Sequence, residues 1–198
     1  LYDNSISKTT IYGAFINRVD GLVIENNNIT DLASTSPTTV TGIYYGGSSS
    51  SGNAIIRNNF ISLSGSLNLT AGTIRGIDYF GYAANSFEVY FNSIYIGGEG
   101  VTAGTTYGLV KRDATTTYKA YNNSVYNARS NGSGTGKHYS IYESNTVSTT
   151  LETNYNNYFV SGTGGVFGYY GAADLADLLA WQTASGQDSN SVSGNPLY

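Results

Sequence analysis

The chain has 198 residues with no cysteine and one histidine; its net charge is −4, and charged residues make up only 11%. Without cysteine there is no disulfide framework or thiolate metal site, and the single His138 excludes multi-histidine metal centres, so we expect no metal and no cofactor. The acidic balance argues against a nucleic-acid partner, and no run of about 18 apolar residues marks a membrane span.

A tripeptide of the form Asn-X-apolar recurs along the chain. Its asparagines are Asn4, Asn27, Asn59, Asn92, Asn123 and Asn157, spaced by 23, 32, 33, 31 and 34 residues. A second marker, a small residue before an apolar one, keeps the same period at Gly13, Gly42, Gly76, Gly108, Ser140 and Gly168. Two interleaved markers with one period predict six structural repeats, beginning near residues 1, 22, 53, 87, 118 and 151.

The residues around each repeated Asn predict short strands. Two columns have core character: Leu1, Ile24, Ile56, Val89, Ala120 and Asn154 three positions before the Asn, and Ile6, Ile29, Ile61, Ile94, Val125 and Phe159 two positions after it. Their alternation with polar residues, between Gly, Ser and Asn, is typical of strands, and the same breakers exclude helical repeats.

Strands that repeat without an intervening helix are expected to stack on their own copies as a parallel β-solenoid. Equivalent residues then lie above one another at the strand spacing of about 4.8 Å. An inward Asn at a bend can hydrogen-bond to the Asn of the next coil, which satisfies a polar group that would otherwise be costly to bury. We therefore predict that the six repeated asparagines form a structural ladder.

The repeat resembles the right-handed parallel β-helix of the secreted bacterial β-helix repeat superfamily, which includes pectate-lyase-like enzymes. The resemblance covers about residues 1–170, and the tail from Leu178-Leu179-Ala180-Trp181 to Asn195-Pro196-Leu197 is similar to the closing segment of such proteins. The fold predicted is all-β, a right-handed parallel β-helix of about six coils with a short C-terminal capping helix. Coils are expected over 1–171 and the capping tail over 172–198, with the helix at 173–181.

One face after the second marker is the candidate carbohydrate site. Its residues, predicted to lean outward, are Tyr44, Tyr45, Asp78, Tyr79, Lys111, Tyr142 and Glu143. Charges on successive coils could share one ligand, since three coils span only about 10 Å. The alternative, an ion-paired and ring-stacked surface without a ligand, stays open.

Enzymatic alternatives come from the resemblance. It implies lyases with a basic residue beside a carboxylate-bound calcium, and hydrolases with clustered aspartates. Neither signature is clear here; a catalytic pairing of Lys111 or Arg112 with Asp78 or Glu143 stays open, and Ca²⁺ is expected only if the protein is a lyase.

The leading functional prediction is a structural, adhesive or assembly-forming module. Sparse charge with abundant Gly, Ser, Thr, Asn and Tyr predicts a secreted or cell-surface location. Leu1 already occupies an inward column, so we expect the first coil to contact upstream coils of a longer chain or to self-associate, with filaments as one outcome. The alternatives are a polysaccharide lyase or glycoside hydrolase, and a glycan-binding module without turnover.

Overall fold

The computed structural model describes residues 1–7, 11–32, 39–46, 53–64, 72–81, 86–100, 103–113, 115–145 and 150–197. In this part of the chain the backbone forms three parallel sheets around one hydrophobic core, followed by one short helix. Within the coils, successive strands of the three sheets belong to different sheets, and strands one coil apart pair in parallel. The all-β parallel solenoid predicted from the repeat is confirmed.

Sheet 1 contains the strands that follow the repeated asparagines. They are β1 (Ser5–Ser7), β4 (Asn28–Thr30), β7 (Phe60–Leu63), β10 (Ser93–Ile96), β14 (Ser124–Asn127) and β18 (Asn157–Val160). Sheet 2 contains β2 (Tyr12–Asn17), β5 (Val40–Gly46), β8 (Ile74–Tyr79), β12 (Thr106–Lys111), β16 (His138–Glu143) and β19 (Gly165–Tyr170), and β20 (Ala173–Leu175) extends it antiparallel.

Sheet 3 completes the coil and leads back to the next asparagine. Its strands are β3 (Leu22–Glu25), β6 (Ala54–Arg57), β9 (Ser86–Tyr90), β13 (Thr117–Tyr121) and β17 (Leu151–Asn154). A further pair, β11 (Glu99–Gly100) and β15 (Ser130–Asn131), lies outside the three sheets. Because sheet 3 has five strands among the described residues, the number of complete coils is slightly lower than the six predicted.

The core is built from the predicted apolar columns. In sheet 3, Ile24 pairs in register with Ile56, and Ile56 with Val89; all three are fully buried. In sheet 1, Ile29 and Ile61 pair in the same way and are also fully buried. Full burial of such a side chain contributes about 1.5–3 kcal/mol, so the stacked columns supply the main stabilisation of the solenoid.

The second repeat marker has a steric cause. A Cβ atom on Gly42 would lie 2.7 Å from the carbonyl oxygen of Gly76 and 2.7 Å from Cγ2 of Ile61. Gly76 is confined in the same way by Gly108, at 2.6 Å. Sheet 2 therefore packs against the Ile column of sheet 1 at a distance that only glycine permits in these coils.

A bend in left-handed conformation separates sheet 3 from sheet 1. The residue before each ladder asparagine has a φ between 51° and 57°; these residues are Asp3, Asn26, Asn58, Phe91, Asn122 and Tyr155. Asp and Asn adopt this conformation more readily than other residues with a Cβ atom, which explains four of the six. Phe91 and Tyr155 are the exceptions.

The asparagines that follow this bend form the Asn ladder. Asn59 donates from its backbone N and from Nδ2 to Oδ1 of Asn92, at 3.0 and 2.9 Å. The same pair of bonds joins successive members of the series Asn4, Asn27, Asn59, Asn92, Asn123 and Asn156. The Nδ2 of Asn92 also donates to the backbone oxygen of Ile56, at 2.9 Å. Each side-chain amide within the stack thereby has hydrogen-bond partners within the protein and needs no water.

Asn157 is not a member of the ladder, contrary to the sequence prediction. It pairs with Ser124 in sheet 1, and its Nδ2 donates to the backbone oxygen of Gly194 at 2.9 Å. Asn156 meets Asn123 instead, because the bend is at Tyr155. Two consecutive asparagines fit the motif in this coil, and only pairing with the preceding coil selects one.

The same shift of one residue affects the other columns of the last coil. Tyr158 is fully buried beside Val125, where Phe159 was predicted. In sheet 3 the partner of Ala120 is the buried Thr153. The predictions of Phe159 and Asn154 as core residues are therefore wrong.

The helix α1 (Leu178–Ser185) begins five residues later than predicted. Asp177 is its N-cap and accepts a hydrogen bond from the backbone N of Ala180 at 2.8 Å, while Gly186 ends it in left-handed conformation. The segment expected to start the helix is β20, whose backbone pairs with β19. The fully buried Trp181 anchors α1 against the last coil, where its ring meets that of Tyr170. Among the described residues, no helix has the length and apolarity to cross a membrane.

The Asn ladder ends on a carboxylate from the tail. Oδ1 of Asp188 accepts from Nδ2 of Asn156 at 3.1 Å and from the hydroxyl of Ser191 at 2.5 Å. Oδ2 accepts from Nε1 of Trp181 at 2.8 Å and from the hydroxyl of Thr153. Asp188 is buried and joins the helix, the tail and the last coil. We refer to these contacts as the Asp188 cap.

Candidate functional site

The predicted site residues divide between two columns of sheet 2. One column reads Phe15, Tyr44, Asp78, Val110, Tyr142 and Tyr169 in register, and the other Ile16, Tyr45, Tyr79, Lys111, Glu143 and Tyr170. Neighbouring strand residues point to opposite sides of a sheet. The first column therefore faces outward, and Phe15 at its start is 55% exposed. The second faces the core, so the prediction that both lean outward is wrong.

Tyr45 and Tyr79 are core residues and not sugar platforms. Both are fully buried, and their rings lie 5.6 and 4.7 Å from the ring of Phe87. The hydroxyl of Tyr45 donates to the backbone oxygen of Val19 at 2.8 Å, and that of Tyr79 bonds to Thr116 Oγ1 at 2.6 Å. Burial raises the pKa of Tyr79, so its phenol stays protonated.

Lys111 and Glu143 form a buried ion pair beneath the sheet. Nζ of Lys111 lies 3.0 Å from Oε2 of Glu143, and both side chains are at most 3% exposed. Nζ also donates to the backbone oxygen of Asp113 at 2.5 Å, and Oε1 of Glu143 accepts from the backbone N of Asn145 at 2.8 Å. Burial raises the pKa of Glu143 to about 7, although the charge of Lys111 acts to lower it.

The raised pKa of Glu143 makes the stability of the fold depend on pH. Between about pH 4.5 and 7 the folded state retains a proton that the unfolded state releases, so the free energy of unfolding falls as the pH rises through this range. Compared with Glu143→Gln, the wild type is expected to lose about 3 kcal/mol between these limits. Urea unfolding of both proteins at several pH values measures this difference.

The control for this comparison is Glu152→Gln, because that side chain is 46% exposed. Its difference from the wild type is expected to vary much less with pH. A difference between wild type and Glu143→Gln that is constant from pH 4.5 to 7 would contradict the raised pKa.

His138 is part of a buried polar network, which the sequence did not reveal. Its Nδ1 lies 2.9 Å from Thr106 Oγ1 and its Nε2 3.0 Å from Asn131 Oδ1. Burial, with the nearby charge of Arg129, lowers the pKa of His138 to about 4. The contribution of neutral His138 to the free energy of unfolding is complete above pH 6.5 and is lost as the pH falls toward 4. This pH dependence has the opposite sign to that of Glu143. Both proteins in the Glu143 comparison contain His138, so its effect cancels.

Asp78 is held by two arginines on the outward face. Arg112 donates to both oxygens of Asp78, from Nε at 2.9 Å and from an Nη at 2.8 Å. Arg75 reaches the same carboxylate at 3.3 Å. Asp78 is fully buried under these groups, while the side chains of Arg75 and Arg112 are 20% and 27% exposed. Two guanidinium groups share one carboxylate, so these three side chains, the Arg-Asp-Arg cluster, carry one net positive charge.

Sequence reasoning missed the role of Arg75 and grouped Asp78 with Lys111 and Glu143 instead. The sheet separates these charges because Asp78 stands in the outward column and the other two in the inward one. Arg75 precedes Asp78 by three residues on the same strand, β8, and this proximity was the available signal.

Two pairs of stacked rings border the Arg-Asp-Arg cluster along the outward column. Phe15 and Tyr44 lie 4.9 Å apart on one side, and Tyr142 and Tyr169 lie 4.6 Å apart on the other, each pair within 9° of parallel. Between them the column holds only Asp78 and Val110. This column therefore has a gap of two positions without rings. Beside the gap, the ring of Tyr107 on β12 lies 4.8 Å from that of Tyr142 and 5.9 Å from the guanidinium of Arg75, and the guanidinium of Arg112 lies 4.5 Å from the ring of Phe80.

Two polar atoms at this gap make no hydrogen bond within the described part of the chain. They are the Nε of Arg75 and the Oγ1 of Thr41, and these residues pair in register on β8 and β5. Burial raises the pKa of Tyr44 and Tyr142 above the ordinary value, so both phenols are neutral donors at neutral pH. The face thus offers the partly exposed guanidinium groups of Arg75 and Arg112 and the phenols of Tyr44 and Tyr142 to a ligand, whereas the hydroxyl of Thr41 is buried.

No group of three or more His, Asp or Glu side chains that could hold a metal ion occurs among the described residues.

Comparison of the chain with protein-family models, with curated proteins and with solved structures finds no match. The candidate site therefore depends on the geometry of this chain alone.

Proposed function

We propose that this chain is an adhesive module of an extracellular protein, and that it binds acidic glycans at the Arg-Asp-Arg cluster without cleaving them. The observation that carries the proposal is the surplus charge of Arg75 and Arg112, which share the single carboxylate of Asp78. A sugar carboxylate is the anion that this site fits best, because a guanidinium group binds carboxylates through paired hydrogen bonds.

The rings beside the gap support a sugar as the carrier of that carboxylate. Tyr44 and Tyr142 border the gap on either side, and their neutral phenols can exchange hydrogen bonds with sugar hydroxyls. The phenol of Tyr44 is close enough to Arg112 and Arg75 for its pKa to respond to their charges. One ligand can therefore contact a ring and a guanidinium group together.

The burial and the contacts of the acidic side chains favour binding without cleavage. Asp78 is buried, and both of its carboxylate oxygens accept hydrogen bonds from arginines, so neither oxygen is open to contact with a substrate. Lys111 and Glu143 lie on the inner side of the sheet, away from a ligand on the outward face. A general acid or base must reach the atom whose proton it transfers.

Replacing Arg112 by Gln is expected to weaken binding of soluble polygalacturonate at least about 10-fold, since the surplus positive charge is lost. The proposal also predicts that wild-type affinity falls as salt is added, because salt screens a contact between charges at the protein surface. Affinity electrophoresis with polygalacturonate, and with neutral dextran for comparison, measures both effects.

The matched control is Arg57→Gln. Arg57 is an exposed arginine of sheet 3 that pairs with Glu25 at 2.5 Å, so its replacement changes the net charge equally but leaves sheet 2 intact. Equal losses in the two variants would reject the cluster as the site. Calcium-dependent release of unsaturated oligosaccharides by the wild type would establish the lyase alternative.

The extracellular location and self-association through the first coil are further parts of the proposal. The location is supported by the composition, with sparse charge and abundant small polar residues. Either a second copy or upstream coils of a longer chain cover the exposed Leu1 and Tyr2 beside the first coil. Light scattering of the purified chain over a range of concentrations measures the assembly state directly.

A further inference from the structure

Phe91 and Tyr155 combine two unfavourable features at the bend between sheet 3 and sheet 1. Both have left-handed backbone conformations, with φ of 55° and 57°. Both side chains are largely in water, at 59% and 58% exposure. Bulky residues seldom adopt this conformation, and large exposed apolar groups often mark binding sites.

The fold holds these residues in place but does not require their side chains. The backbone N of Phe91 donates to the oxygen of Tyr121 at 3.2 Å, and the ladder residues Asn92 and Asn156 follow directly. The other members of the bend column are Asp or Asn, which accept the conformation readily. Aromatic rings at these two positions therefore serve something other than the bend. Strain that persists at such a position is itself an indication of function.

The rings of Phe91 and Tyr155 also have uncovered faces. Within the described part of the chain, neither ring stacks on another ring or lies against a cation. On sheet 2, by contrast, neighbouring rings cover one another, as Phe15 and Tyr44 do. Free ring faces are what stacking against a flat apolar ligand requires.

The spacing and surroundings of the two rings indicate the kind of ligand. They lie two coils apart in one column, which corresponds to about 10 Å along the solenoid axis, with the exposed Asn122 between them. The flanking positions are uncharged: Tyr90, Tyr121 and Asn154 on one side, and Ser93, Ser124 and Asn157 on the other. Isolated rings among amides and hydroxyls match a ligand that alternates apolar faces with hydroxyl groups.

We propose that Phe91, Asn122 and Tyr155 form a binding strip for a neutral, extended polysaccharide. Sugar rings two units apart along a flat β-linked chain stack on Phe91 and Tyr155, and the amide of Asn122 hydrogen-bonds to hydroxyls between them. A protein partner fits less well, because the strip has no continuous apolar surface. The strip lies at a bend away from sheet 2, so it does not depend on the acidic site proposed above.

The double variant Phe91→Asn, Tyr155→Asn tests the strip without endangering the fold. Asn suits the left-handed bend, so the thermal midpoint is expected to stay the same or rise. Retention of the wild type on microcrystalline cellulose is expected, with an affinity at least about 10-fold lower for the variant. Leu179→Asn is the control, since it removes another exposed apolar side chain, 71% exposed on α1, and should bind as the wild type does.

The proposal is overturned if the wild type is not retained on cellulose, or if wild type and double variant are retained equally. It is also overturned if the double variant loses self-association, because the rings would then contact a second copy of the chain. Arg112→Gln, which belongs to the other site, should be retained on cellulose normally. Its failure on polygalacturonate and the failure of the double variant on cellulose are therefore separate results.

Discussion

Replacing Asp188 by Ala is expected to lower the free energy of unfolding by about 3–5 kcal/mol, a larger loss than any other single substitution proposed for this chain. The variant leaves the Nε1 of Trp181 and the Nδ2 of Asn156 without the acceptor they share in the Asp188 cap. Both donors belong to buried residues, so water replaces the carboxylate poorly. Urea unfolding measures the loss.

The position of the damage distinguishes loss of the cap from general destabilisation. Coils of a solenoid contact mainly their neighbours, so amide hydrogen exchange is expected to accelerate first in β17 and β18. Asp177→Ala is the matched control: it removes an exposed aspartate that caps α1 through one bond of 2.8 Å, and should cost only about 1 kcal/mol. Equal losses in the two variants would refute the role assigned to Asp188.

Replacing Asn92 by Ala is expected to cost about 2–4 kcal/mol, the second large effect. Oδ1 of Asn92 accepts two bonds from Asn59, at 3.0 and 2.9 Å, and its Nδ2 donates to Ile56 O and to Asn123 Oδ1. The variant therefore leaves donors and acceptors unpaired on both neighbouring coils. Chemical unfolding followed by circular dichroism measures the change.

Asn28→Ala is the control for the ladder. Asn28 is exposed and follows the ladder residue Asn27, so the substitution should change stability by no more than about 0.5 kcal/mol. Asn92→Asp provides a second comparison, since it keeps an oxygen facing Asn59 but loses the donor to Ile56 and Asn123. If Asn92→Ala were as stable as Asn28→Ala, the ladder would not contribute to stability.

The repeat alone predicted the parallel solenoid, because a period of about 32 residues with two independent markers can be satisfied only by stacking equivalent strands. It also predicted five of the six ladder members and the buried Ile columns. These features depend on residues within one coil, and each coil repeats the same arrangement of strands, bend and inward residues. The tail showed its capping character through Trp181, yet the start of the helix was misplaced because β20 depends on pairing with β19.

The candidate site was harder to predict, because the polarity of a side chain did not indicate the face of the sheet on which it lies. Lys111 and Glu143 are ionisable and were expected to face water, but the alternation of side chains along β12 and β16 directs them to the core, where they contact each other. Arg75 was overlooked although it lies three residues before Asp78 on β8, and the contact of Arg112 with Asp78 arises only between adjacent coils.

Composition and period, both properties of the chain itself, thus determined the fold class, the stacking direction and the identity of the repeating core. Tertiary structure decided which of Asn156 and Asn157 joins the ladder, which column of sheet 2 faces outward, and which charges meet. The physical reason is that a one-residue shift reverses the side of the sheet on which a residue lies. Only contacts with the preceding and following coils, about 32 residues away, select among the registers that the local sequence allows.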